Sequence, residues 1–316
     1  MSRQQRARPT PPLTRDAKPS AQPQGPAGAD VALVQFPHPG TEHRPAGLGV
    51  MPWYSGPHRR KFMVAEGIWV ADGGQAGGGL VNFWGEWEAP SRVLSDGVGE
   101  IGMPRYLHRP LRPAEGDSGS NTDPFVFGQR FYYSNCRQLR NRKLRDLPIG
   151  SLMLFGSKVR RRFVLDTALV VADRHPLDCA RLNRGDSAFR RVSLRPLQES
   201  GEPLDRLVLY EGATPDRAID GMFSFVPARP HDDGEWGFHR PCLAGSYLND
   251  NLAMAARVQM VASSQVAKVW AEVTRRVFDA GLVLATHLSP ATQTAAASAS
   301  GGQPVCSPKP NSGSVR

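Results

Sequence analysis

The sequence predicts an α+β protein that is mainly β, built on a mixed or antiparallel, strongly twisted sheet or barrel. Glycine and proline recur at short intervals, and the stretches between them are rich in β-branched, aromatic and large apolar residues. That spacing is typical of short strands joined by turns. A single stretch near the end has helical periodicity instead, which predicts one helix packed on the sheet.

The clearest strands lie at residues 151–157 and 163–172, on either side of a basic stretch at residues 158–162. In the second strand, side chains alternate between two faces, and most positions on both faces are apolar. We therefore expect two central strands with a basic hairpin tip. Further strands are predicted at residues 32–36, 61–70, 80–87, 125–133, 206–210 and 222–227.

The predicted helix is defined by apolar residues at helical spacing. Val266, Val269, Val273 and Val277 fall on one face of such a helix, as expected for an element that packs on the core. Gly281 is a suitable stop, since glycine commonly follows the last helical turn.

The two ends of the chain differ in composition from the middle. Residues 1–30 and 289–316 are rich in proline, glycine, alanine and serine and poor in branched or aromatic residues, which predicts disordered tails around a globular body at residues 31–288. A polar stretch at 174–203 is a possible joint between two domains. Neither a signal segment nor a membrane span is recognisable, and four cysteines occur without a CxxC pair, so we expect a cytoplasmic protein.

Positive charge is concentrated in one part of the body. The net charge is +10, and the stretch from Arg137 to Arg162 holds nine basic residues and one acid, Asp146. Such a stretch attracts polyanions, although a solvated charged surface is the alternative. The predicted phosphate ligands are Arg140, Arg142, Lys143, Arg160, Arg161 and Arg162.

Two aromatic clusters suggest a platform on which bases stack. Trp53 precedes a second basic group, formed by Arg59, Arg60 and Lys61, that is also a candidate phosphate contact. Trp84 and Trp87 flank Glu86 in the second cluster. Aromatic rings beside cations suit stacking combined with phosphate contact. Tryptophans in strands are equally often part of the core.

The sequence does not decide whether the protein is an enzyme. Candidate acid–base groups occur in the N-terminal half, but their spacing does not show that they meet in space. These candidates are Glu86, His38, His43, His108 and Asp123, with His58 as a further histidine. The spacing of the histidines matches no metal motif, and no phosphate or dinucleotide loop is present, so neither a metal nor a cofactor is predicted.

One segment resembles a known group of domains. DPFVFGQRFYYSNCRQ, followed by a basic stretch and LPIGSLMLFGS, is similar to PUA-like β-barrel domains and to domains associated with nucleotide modification, over about residues 121–172. The resemblance implies a nucleic-acid or nucleotide ligand in a barrel pocket. It carries over no catalytic residue.

Three functions follow in order of support. The first is a nucleic-acid or nucleotide-binding protein with a basic hairpin and an aromatic platform. The second is a hydrolase or transferase that acts on nucleotides or nucleic acid, which requires the candidate polar groups to converge. The third is an interaction scaffold whose basic face contacts an acidic protein.

Overall fold

The computed structural model describes residues 29–97, 102–114, 116–135, 141–177, 187–201, 203–232, 234, 236–249, 256–289 and 292–293. Its strands are β1 Asp30–His38, β2 Gly49–Met51, β3 Lys61–Val70, β4 Ala76–Gly85, β5 Ser91–Asp96, β6 Tyr106–Arg112, β7 Tyr132–Tyr133, β8 Leu152–Val159, β9 Arg162–Pro176, β10 Val208–Gly212, β11 Val226–Pro230, β12 Cys242–Leu243, β13 Arg257–Ala262, β14 Val283–Leu288 and β15 Thr292–Gln293. The main helix is Ser263–Asp279, and a shorter helical stretch combines Ser187–Phe189, Arg190–Leu194 and Arg195–Glu199. Single 3₁₀ turns occupy Asp72–Gly74, Arg142–Arg145 and Leu204–Arg206.

The first sheet has the strand order β13-β1-β8-β9-β10-β7, and β12 pairs with β9. The β1–β8 pair is parallel, whereas β8 and β9 form an antiparallel hairpin. Side chains from the central strands enter hydrophobic clusters on both faces: Phe36 and Phe155 on one side, Leu33 and Leu154 on the other. Burial on both faces explains why these strands are apolar at nearly every position.

The second sheet has the order β14-β11-β4-β3-β6-β5-β2. Strand β14 also pairs with β3, so β3, β4, β11 and β14 close into a small antiparallel barrel. The predicted fold class, mainly β with a mixed sheet, a barrel and a packing helix, is confirmed.

The C-terminal helix covers one face of the first sheet. Val266, Val269, Val273 and Val277 are all buried in the same cluster as Leu152, as their spacing predicts. The helix ends before Gly281, whose φ of +70° lies in the left-handed region that favours glycine. No helix in the described ranges is both long and apolar enough to span a bilayer.

The predicted single strand at residues 125–133 is wrong. The chain reverses within it, and the backbone N–H groups of Phe125 and Tyr132 each donate to the other residue's carbonyl at 2.8 Å. Gly128, with a φ of +89°, allows the reversal. Phe127 and Phe131 are nevertheless buried. The aromatic pattern therefore reports core packing around a tight turn, not an extended strand.

Most of the two tails lies outside the described residues, as does part of the possible joint at 174–203. The described part of that joint includes the end of β9 and the helical stretch Ser187–Phe189, Arg190–Leu194 and Arg195–Glu199. Its Phe189 and Val192 belong to the same hydrophobic cluster as Phe155 of β8. This stretch therefore packs on the main core.

Candidate functional site

The β8–β9 hairpin ends in a two-residue turn made of two arginines. Val159 pairs with Arg162, which leaves Arg160 and Arg161 in the turn with φ values of 47° and 67°. A tight hairpin turn of this kind needs positive φ at both positions, and Asn-Gly is the usual choice. A residue with a Cβ is destabilised there by about 1 kcal/mol. Two exposed arginines thus occupy positions that their backbone preferences disfavour.

A basic groove with a volume of about 330 Å³ lies beside this tip. Its cationic walls are Arg160, Arg162 and Arg240, the His239 imidazole also lines it, and no acid occurs among the described residues of its lining. Cations that converge on one concave surface produce a local positive potential. The hairpin tip and the basic groove together form a continuous surface suited to phosphate.

The basic run in the sequence does not form a single surface. Arg142–Arg145 precedes β8, whereas the hairpin tip follows it. Eight residues of strand separate the two groups by roughly 25 Å. Arg142 and Lys143 are exposed at the far end, and Arg140 lies outside the described residues. The structure therefore separates the predicted phosphate ligands into two groups.

A line of alternating charges leads from the basic groove into the interior. Arg240 Nη1 donates to Asp166 Oδ1 at 3.1 Å, and Arg60 Nε lies 3.1 Å from Asp166 Oδ2. Arg60 Nη1 then donates to Glu86 Oε2 at 2.7 Å. The side chains of Arg60, Asp166 and Glu86 are only 2–3% exposed. Charges this deeply buried are tolerated only because each faces an opposite charge.

The other end of this line is formed by His58, Glu86 and Glu88. His58 Nδ1 lies 3.0 Å from Glu86 Oε1 and 3.2 Å from Glu88 Oε1. These carboxylates raise the pKa of His58 to about 10. Burial would raise the pKa of Glu86, but His58 and Arg60 lower it to about 2. The pKa of Glu88 is raised by burial.

Strand register explains why these four side chains meet. Lys61 at the start of β3 pairs with Gly85 at the end of β4. Continuing the same antiparallel register beyond both strands places Arg60 opposite Glu86 and His58 opposite Glu88. Residues two apart in extended chain point to the same side. The two basic groups therefore face the two carboxylates.

Asp166 reaches the interior because of a β-bulge. The β8–β9 register shifts between Phe155 and Gly156, which leaves Asp166 as the extra residue on β9. Its Oδ2 also accepts a hydrogen bond from Ser157 Oγ at 2.6 Å. The bulge thus connects the charges of the second sheet to the first.

Three of the five predicted catalytic residues are brought together. Asp123 N–H donates to Glu86 Oε1 at 3.2 Å, and the Asp123 carboxylate accepts a bond from Ser134 Oγ at 2.9 Å. His38 lies at the end of β1, and burial and the nearby Arg60 lower its pKa to about 3. Asp123 therefore contacts Glu86 through its backbone while its carboxylate faces Ser134, and a neutral His38 lies near the Glu86 and Arg60 charges.

His43 and His108 form a separate cluster. Their rings are 5.8 Å apart, and His108 Nδ1 lies 3.2 Å from Ser91 Oγ, which also accepts a bond from Lys61 Nζ at 3.4 Å. Burial lowers the pKa of His43 to about 4, that of His108 to about 3 and that of Lys61 to about 8. Both histidines are therefore neutral at pH 7.

The predicted stacking platform is not formed. Trp84 and Trp87 are 3% and 1% exposed, because Trp84 packs on Phe62 and the Trp87 indole donates to the Pro90 carbonyl. Trp53 is half-buried, with its indole N–H bound to the Ser120 carbonyl. Buried rings cannot stack on a base, so Trp84 and Trp87 serve the core, and the half-buried Trp53 packs against the core as well.

The second predicted phosphate group is mostly internal as well. Arg60 and Lys61 are 2% and 1% exposed, and Arg59 is half-buried. Arg60 is bound to Glu86, a partner far away in sequence. The sequence interpretation of these two cations as surface contacts is therefore wrong.

Sequence reasoning missed Glu88, Asp166, His239 and Arg240. Glu88 could have been found, since it follows Glu86 at the two-residue spacing that puts both side chains on one side of an extended chain. Asp166 and Arg240 depend on a bulge and on a contact between residues 74 positions apart. Neither the bulge nor this long-range contact can be recognised from neighbouring residues in the sequence.

Comparison of the chain with protein-family models, curated proteins and solved structures finds no match. The fold and the site define a mainly β protein in which a line of buried charges leads from a basic groove to a His–Glu–Glu cluster.

Proposed function

We propose that this protein binds nucleic acid or nucleotides through their phosphates, using the hairpin tip and the basic groove. The observation that carries the proposal is the presence of Arg160 and Arg161 at left-handed turn positions. Strained backbone tends to persist where function requires the side chain it presents. Asn-Gly would build the same turn with less strain but without either cation.

The basic groove contains a preorganised positive charge. Arg240 is fixed by Asp166 and lies with its guanidinium carbon 4.6 Å from the centre of the Trp84 ring. Its side chain is 5% exposed, so Arg240 supplies a fixed positive charge at the wall of the groove and the exposed arginines make the direct contacts. Arg160 and Arg162 are exposed and can close on the ligand. The resemblance to PUA-like domains agrees with such a ligand, and the free Cys242 agrees with a cytoplasmic location.

A paired-variant titration tests the proposal. Fluorescence anisotropy is measured with single-stranded DNA, duplex DNA, RNA and labelled mononucleotides at about 0.1 M salt, where charge interactions are only partly screened. The tip variant is Arg160→Asn with Arg161→Gly, and the control is Arg142→Gln with Lys143→Gln, which removes two charges at the other end of β8. We expect the tip variant to weaken binding about tenfold or more and the control to leave it nearly unchanged.

Two outcomes would contradict the proposal. Equal losses of affinity in both double variants would show that only net charge matters, and binding unchanged by the tip variant would place the contact elsewhere. A labelled polyglutamate peptide is added as a further probe. Binding to this peptide alone would favour the scaffold alternative.

A hydrolase or transferase that acts on nucleotides is the second candidate. It is favoured by the proximity of Glu86 to His38 and to the Asp123 backbone, on the line of buried charges that leads from the basic groove. Turnover of nucleoside phosphates is followed by chromatography for the wild type, Glu86→Gln and the exposed control Glu199→Gln. Activity that disappears only in Glu86→Gln supports catalysis, whereas no turnover of any nucleotide, or turnover that Glu86→Gln leaves intact, contradicts it.

A further inference from the structure

We infer that His58, Glu86 and Glu88 form a binding site for one divalent first-row transition-metal ion of the Zn²⁺ or Mn²⁺ type. The site is distinct from the phosphate-binding surface and does not depend on it. An imidazole nitrogen and two carboxylate oxygens are donors that such ions accept.

The spacing of the donor atoms fits a common centre. His58 Nδ1 lies 3.0 Å from Glu86 Oε1 and 3.2 Å from Glu88 Oε1, and one ligand atom from each residue lies within 4.8 Å of the others. Bonds to zinc are about 2.0–2.2 Å long, so two ligand atoms on a tetrahedral ion lie roughly 3.3 Å apart. The three side chains therefore need little movement to share an ion.

A second observation also points to a ligand. Glu88 is 0% exposed, yet its Oε2 has no hydrogen-bond partner among the described residues. The contacts of His58 Nδ1 with the two carboxylates are close but do not have hydrogen-bonding geometry. Buried polar atoms are normally satisfied, so these atoms call for a partner. A metal ion bound by His58 Nδ1 and chelated by both carboxylate oxygens of Glu88 would satisfy both atoms.

The neighbouring cations do not occupy the donor atoms. Arg60 contacts Oε2 of Glu86, on the other side of the carboxylate from His58, and it also pairs with Asp166. The ammonium of Lys61 donates to Ser91 Oγ. Each Oε1 atom accepts one backbone hydrogen bond, Glu86 from Asp123 at 3.2 Å and Glu88 from Arg59 at 3.4 Å, and each also faces the imidazole with a lone pair that no cation occupies.

The site is also open on one side. The His58 side chain is 25% exposed, whereas those of Glu86 and Glu88 are 3% and 1% exposed. Three protein ligands with one open position are typical of zinc sites that hold a water molecule or substrate. An imidazole ligand favours a transition metal over Mg²⁺ or Ca²⁺, which prefer oxygen donors.

The sequence pattern does not predict this site, because the histidines that stand out in it are different ones. Among the described residues, none of His38, His43 and His108 joins a group with metal-ligand spacing. His58 and the two glutamates meet only through the β3–β4 register.

Calorimetry on the full-length, chelator-treated protein tests the site with Zn²⁺, Mn²⁺ and Mg²⁺ as probes. We expect one Zn²⁺ per chain, weaker Mn²⁺ binding and no Mg²⁺ binding at millimolar concentration. Glu88→Gln and His58→Gln should weaken Zn²⁺ binding about 100-fold or more, since each removes a direct ligand. The control is His175→Gln, because Nε2 of His175 lies 3.1 Å from Asp173 and 3.4 Å from Glu211, away from the proposed site.

Zn²⁺ affinity that Glu88→Gln leaves unchanged, or that falls in His175→Gln instead, would overturn the inference. If a site variant does not fold, anomalous scattering from zinc-soaked wild-type crystals replaces it. A peak between the three side chains supports the site, and its absence at saturating zinc contradicts it. Because these measurements contain no nucleic acid, their failure would leave the phosphate-binding proposal untouched.

Discussion

The Arg60 guanidinium donates to the Glu86 carboxylate at 2.7 Å in a space where neither side chain is more than 3% exposed. Arg60 also faces Asp166, so one cation just before β3 connects acids on both sheets. Removing two charges from water costs several kcal/mol per ion, and only close opposite charges offset that cost. The two sheets are therefore held together by charges as well as by apolar packing.

Removal of the Arg60 guanidinium should destabilise the folded protein. We expect Arg60→Met to lower the free energy of unfolding by about 3–5 kcal/mol, since Glu86 and Asp166 would then remain buried without it. Arg275→Met removes an exposed partner of Asp279 and should cost less than about 1 kcal/mol. Urea unfolding measures both. If both variants lower the free energy of unfolding by similar amounts, the buried ion pair contributes no more to stability than the exposed one.

Replacing the two arginines of the hairpin turn by Asn-Gly should stabilise the protein. Arg160→Asn with Arg161→Gly relieves two left-handed arginines, and we expect the free energy of unfolding to rise by about 1 kcal/mol. Arg162→Gln removes a charge outside the turn and should change stability by less than about 0.5 kcal/mol. Chemical denaturation that shows no gain for the double variant would refute the assignment of strain.

Gly156 should not tolerate a side chain. A Cβ at this position would lie 2.3 Å from the Val164 carbonyl oxygen on the partner strand. We expect Gly156→Ala to destabilise the protein by about 1–3 kcal/mol through strain next to the bulge. Gly47→Ala, where nothing lies within 4 Å, is the matched control. Thermal unfolding compares the two variants, and equal midpoints would contradict this account of the bulge.

The buried neutral histidines should make stability depend on pH. His108 in the folded protein stays neutral down to about pH 3 because burial and Lys61 lower its pKa, whereas an unfolded histidine takes up a proton near pH 6.5. Below about pH 6.5 the unfolded state binds more protons. The stability from His108 is thus fully present above that pH and is lost as the pH falls toward about 3.

At about pH 5.5, His108 should account for about 1.4 kcal/mol of the decrease in stability relative to pH 8. His108→Gln should remove this contribution to the loss of stability at low pH. The contributions of His38 and His43 should remain. Urea unfolding at several pH values between about 5.5 and 8 gives the slope for both proteins. A slope that the variant does not change would mean that His108 is protonated in the folded state.

The sequence predicts the elements whose pattern is local. The β8–β9 hairpin and the helix Ser263–Asp279 both appear where period-two and period-3.6 apolar patterns place them. The stretch around Gly128 misled the prediction because its buried aromatics alternate while the backbone turns. Side-chain alternation shows which residues are buried, but it does not show that the chain is extended.

The candidate site could be predicted only in part. Arg160, Arg161 and Arg162 are at the tip, as the basic hairpin implies. Arg60 and Lys61 resemble surface cations in sequence, and the acids that allow the burial of Arg60 come from other strands. The separation of Arg142 from Arg160 follows from the length of β8. The charge pattern therefore located the positive residues but not the surface that they form.

The salt dependence of nucleic-acid binding tests the central claim most directly. The logarithm of the binding constant is measured against the logarithm of salt concentration for the wild type and for the triple variant Arg160→Gln, Arg161→Gln and Arg162→Gln. If the hairpin tip binds phosphates, the slope should fall in magnitude by about 0.7–0.9 for each phosphate that the variant no longer neutralises. An unchanged slope with unchanged affinity would contradict phosphate binding at the tip.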